Sequence, residues 1–66
     1  MVYSNLPDYL SGDPEGTLVF DIPTFLVGAG LTDTRERRLD VGEIALRVVL
    51  NTYPRVREVQ VEGFPY

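Results

Sequence analysis

The 66-residue chain contains no cysteine, no histidine and no lysine, and each absence removes a class of chemistry. Without cysteine there are no disulfide staples and no thiolate metal sites. Without histidine the commonest zinc ligand is missing, as is the side chain best suited to proton transfer near neutral pH. Without lysine the six basic residues are all arginine, whose planar guanidinium grips carboxylates through two parallel hydrogen bonds. Long hydrophobic runs are also missing. The longest apolar-rich stretch, Phe25-Leu26-Val27-Gly28-Ala29-Gly30-Leu31, has seven residues, far short of the ~18 that a membrane helix needs, so no membrane insertion is expected. The opening residues MVYSNLPDYL carry no basic region of a secretory signal. The chain therefore reads either as soluble and retained where it is made or as an excised domain of a longer exported protein, and its compartment stays open.

What is present is acidic and moderately apolar. Ten acidic residues against six arginines give a net charge of −4, and 44% of residues are hydrophobic, a balance that suits a folded domain. A chain this short buries only roughly 60% of its unfolded surface. The charges are unevenly placed. Asp8, Asp13, Glu15, Asp21 and Asp33 stand alone in the first half, whereas all six arginines follow Asp33. An acidic half disfavours nucleic acid, which is bound through clustered cations, and favours a protein partner.

Residues 1–16 hold Pro7, Gly12, Pro14 and Gly16 and are expected to form an irregular acidic segment. Its Tyr3, Leu6, Tyr9 and Leu10 would pack as a lid. Residues 17–66 are expected to form a small β-α-β domain. Thr17-Leu-Val-Phe-Asp-Ile22 alternates as a strand with Leu18, Phe20 and Ile22 on one face, stopped or marked as an edge by Pro23. Thr24–Val27 is ambiguous between sheet and helical turn. Two helix openings compete, Asp33-Thr-Arg-Glu36 and Asp40-Val-Gly-Glu43, each an acidic variant of the capping box. Asp40 is preferred, because the apolar period begins just after it. Val41, Ile44, Ala45, Val48, Val49 and Thr52 form one stripe, which Leu46, Leu50 and Tyr53 widen. Glu43 and Arg47 stand as an i,i+4 pair. Pro54 ends the helix near Tyr53. Val56–Glu62 is the second strand, parallel to the first if the crossover is right-handed.

The expected architecture is therefore α/β, with α+β as the alternative, in a two-layer unit of strand, loop, helix and strand. Two short strands and one helix cannot cover every apolar side chain in this chain. The surplus is expected to meet a protein partner or a second copy. The expected contact surface is Phe25, Leu26 and Val27 with Phe64 and Tyr66, rimmed by Arg35, Arg37 and Arg38.

No catalytic, metal or cofactor site is expected. Asp8, Asp13 and Glu15 lack the alternation and closing glutamate of a calcium loop. Gly28-Ala29-Gly30 lacks the remaining residues of either phosphate-binding signature. The serines and threonines have no histidine or lysine to activate them. The leading reading is a non-catalytic interaction or assembly module. The rival is a small acidic regulator, of the phage or plasmid inhibitor type, that would occupy a basic site through residues 8–21.

The run from Thr17 to Pro65 resembles the C-terminal half of the sporulation and spore-germination (GerMN) domain. Leu18-Val19-Phe20-Asp21-Ile22 is similar to its first strand, Asp40-Val-Gly-Glu43 to its helix opening, Val49–Val56 to its helix end, and Val59-Gln60-Val61-Glu62-Gly63 to its closing strand and turn. The resemblance implies a non-catalytic module of envelope- or spore-associated proteins, and it supplies no catalytic residue.

Overall fold

The computed structural model describes residues 6–66, so Tyr3, read from the sequence as part of a lid, lies outside the described residues. A three-stranded mixed sheet in the order β1-β2-β3 carries two helices, a small α+β unit.

β1 (Leu10–Gly12) and β2 (Thr17–Asp21) form an antiparallel hairpin in which Leu10 faces Phe20 and Gly12 faces Leu18. The irregular first segment thus contains a strand. The turn formers that argued against one are the residues that build its hairpin. The Asp13 carboxylate accepts the Glu15 N–H at 2.9 Å, and the Asp13 carbonyl accepts the Gly16 N–H at 2.9 Å. Gly12 has φ +111°, and a side chain there would overlap the Thr17 carbonyl, so only glycine closes this turn.

Leu18 and Phe20 are completely buried, as their alternation predicts. Ile22 is buried too, but as the first residue of α1 (Ile22–Gly28). Pro23 ends the strand and occupies the first turn of that helix, where its missing N–H leaves nothing unsatisfied. The ambiguous residues 24–27 are therefore helical.

α2 (Arg35–Thr52) begins five residues before the preferred opening. Thr34 is the N-cap, its hydroxyl accepting the Arg37 N–H at 3.2 Å. Asp40-Val-Gly-Glu43, matched above to a helix opening, lies inside α2. The helix ends as expected, with Tyr53 leaving helical geometry before Pro54.

β3 (Glu58–Glu62) runs parallel to β2, placing Leu18 beside Val59 and Phe20 beside Val61. Ile22 and Leu26 of α1 and Val41, Ala45 and Val49 of α2 join Leu10, Leu18 and Phe20 in one core.

Candidate interaction surface

The structure divides the surface expected from the sequence. Leu26 is completely buried in the core and leaves it. A helical turn at residues 22–28, rather than an extended strand, rotates Leu26 inward and Val27 outward, so Val27 stands 76% exposed. Phe25 is half-buried. Its ring meets Tyr9 edge-on at 4.9 Å and Phe20 at 5.3 Å, so it is held by the N-terminal segment and the core.

Phe64 packs elsewhere, on α2. Its ring lies on Gly42, where an added Cβ would overlap ring atoms Cδ1 and Cε1. Tyr66, fully exposed, meets Phe64 at 5.3 Å. Gly42 is thus a seat for an aromatic ring rather than a weak point in the helix.

Arg35 and Arg37 are exposed. Arg38 has a structural task. Its Nε and Nη2 donate to the two carboxylate oxygens of Asp33, each at 2.7 Å, and Nη1 donates to the Gly63 carbonyl at 3.3 Å. The Asp33–Arg38 hydrogen bonds hold the Asp33 carboxyl below the usual carboxylate range and raise the Arg38 guanidinium, with burial acting in the opposite direction. Gly63, at φ +89°, fits between this guanidinium and Pro23, and a Cβ there would come within 2.7 Å of the Pro23 ring. One arginine therefore ties the opening of α2 to the chain beyond β3, beside the start of α1.

The acids of the first half are also engaged locally. Besides its turn, Asp13 is near Glu15, which lies 3.9 Å from Arg55. Asp21 accepts the Thr24 hydroxyl at 3.1 Å. Asp8 is exposed.

Coverage of the apolar residues comes out differently from the expectation. A third strand, a second helix and half-buried Leu6 and Tyr9 shelter Phe25 and Leu26, while Phe64 is half-buried on α2. The large apolar residues left exposed are Val27 and Tyr66 of the expected surface and three residues of α2. Ile44 is 42% exposed, Leu46 53% and Leu50 40%. The sequence places all three on the apolar stripe of the helix, a stripe wider than two short strands can cover, without saying which of its residues stay exposed. The buried part is the narrow line Val41, Ala45, Val49. Leu46 and Leu50 border a shallow surface groove with Glu43, Arg47 and Asn51. Glu43 and Arg47 do not form the expected i,i+4 ion pair; among the described residues the ion pairs are Asp33–Arg38 and Glu15–Arg55. The signal for this surface was present in the sequence: Leu39, Leu46, Leu50 and Tyr53 follow a spacing distinct from that of the core line.

Against known proteins, the chain matches no family model, no curated protein and no solved structure. Among the described residues no helix is long and apolar enough to cross a membrane.

Proposed function

We propose that the chain is a non-catalytic protein-contact module that works through the outward side of α2. The observation that carries this reading is the exposure of Leu46 and Leu50 side by side; among the described residues the other large aliphatic side chains, apart from Val27 and Ile44, are buried or half-buried. Exposed neighbouring leucines bordered by charge are what a contact surface requires: an apolar centre to exclude water and a polar rim to orient it. Phe64, seated on the same helix at Gly42, and the exposed Tyr66 against it extend the reading toward the last residues. An assembly role also agrees with what the GerMN resemblance implies, including an envelope or spore setting. The inhibitor reading is not preferred, because Asp13, Glu15 and Asp21 are occupied by neighbours within the fold.

The test is site-specific photo-crosslinking in the native host. A photoreactive residue at position 46 or 50 should give a discrete protein adduct. The same residue at Gln60, on the solvent side of β3, should give none. Absence of any adduct from 46 and 50 would reject the reading.

A further inference from the structure

Resting on that reading, we infer that the partner is a second copy of this chain, with α2 packed antiparallel against α2 of its twin. Leu39, Glu43, Leu46, Leu50 and Tyr53 recur at intervals of four, three, four and three residues, the alternation that keeps one seam of a helix facing another helix. This seam is separate from the buried line Val41, Ala45, Val49. At 100° per residue its centre lies about 120° around the helix from that line: Glu43, Leu46 and Leu50 are exposed along it, while Leu39 is half-buried and Tyr53 packs partly against the core.

The charges beside the seam select the occupant and its direction. Asp40 and Arg47 stand seven residues apart on the same flank, both exposed. A parallel, in-register pair would set Glu43 against Glu43 inside the seam, like charge on like, and would leave Asp40 and Arg47 on opposite flanks, out of reach of the twin's copies. An antiparallel pair with its two-fold axis between residues 44 and 45 sets Leu39 against Leu50 of the twin and Glu43 against Leu46. On the flank it brings Asp40 beside Arg47 of the twin, off level by two residues or about 3 Å, a gap the long arginine side chain spans, and symmetry repeats each contact. One register therefore satisfies both the leucines and the charges. Glu43, the polar residue within the seam, then lies beside the twin's Arg47 and fixes that register. The unmade Glu43–Arg47 bridge within one chain leaves both groups available for this exchange. A single helix seam lies at the low end of interface size, roughly below 1,200 Å², so the association is weak and is to be sought at high protein concentration.

The experiment is sedimentation equilibrium on the full chain from about 10 μM to 1 mM, in the weak-interface regime. The expected mass rises toward twice 7.4 kDa. Leu46→Glu should weaken association ~100-fold or more. Asp40→Arg alone and Arg47→Asp alone should each weaken it ~10-fold, and the double reversal Asp40→Arg/Arg47→Asp should restore it. Circular dichroism confirms that each variant is folded; should Leu46→Glu unfold, Leu50→Gln serves in its place. A mass of 7.4 kDa at every concentration overturns the inference, as does a dimer indifferent to Leu46→Glu or a double reversal that restores nothing. A monomer that still crosslinks to another protein through position 46 overturns the twin while leaving the contact reading intact. Failure of both experiments removes both.

Discussion

Single residues in this fold carry opposite demands, and Gly42 shows it best. Mid-helix glycine is about 0.8–1 kcal/mol less favourable than alanine, so propensity alone says Gly42→Ala should stabilise. The Phe64 ring says the opposite, because it occupies the space of the missing side chain. Gly42→Ala should destabilise the wild type and stabilise a Phe64→Ala background by up to ~1 kcal/mol. A double-mutant cycle by urea denaturation reads the change of sign. Asp33 gives a second prediction. Its carboxyl is held low by Arg38, so the stability it contributes is complete above its unfolded value near ~3.9 and disappears as pH falls through the lower folded value. The difference in urea midpoint between wild type and Asp33→Asn should therefore be present at pH 7 and gone at strongly acid pH. It should also shrink in high salt, since the pair is partly exposed. The sequence showed the charges of this pair, but not that Arg38 would also reach the Gly63 carbonyl, 25 residues on.

At the scale of elements, the sequence revealed what depends on periodicity and concealed what depends on position. β2, β3 and the end of α2 were legible from alternation and from Pro54. The start of α2 was misread for a definite reason. Arg35-Glu36-Arg37 is exposed, so the first turn has no apolar side to reveal it, and the apolar period begins where the helix reaches the sheet rather than where it begins. Thr34→Ala should accordingly lower stability by about 1 kcal/mol, and Asp40→Ala by well under half of that, in thermal melts at micromolar concentration. β1 escaped notice because three residues cannot display alternation and because its last residue is a glycine required by the turn. That Ile44, Leu46 and Leu50 are the uncovered members of the stripe was not legible, because a helical stripe shows which side is apolar, not how much of that side the sheet is wide enough to cover.

For the molecule as a whole, the margin of stability is narrow. A single small core of this kind supplies no more than ~3–5 kcal/mol, and Phe20→Ala alone should remove about 3–5 kcal/mol. That variant should be unfolded at room temperature by circular dichroism, whereas Leu46→Ala, at an exposed site, should change stability by no more than ~0.5 kcal/mol. The same contrast separates residues that hold the fold from residues offered to a partner. The pairing of β2 with β3 joins Thr17 to Glu58 across 41 residues of sequence. During synthesis, then, the central strand emerges from the ribosome long before one of its two neighbours exists. Until residues 58–62 have cleared the exit tunnel, the nascent chain displays an incomplete sheet with one bare margin. Its window of vulnerability to chaperones and proteases is set by the time taken to translate α2.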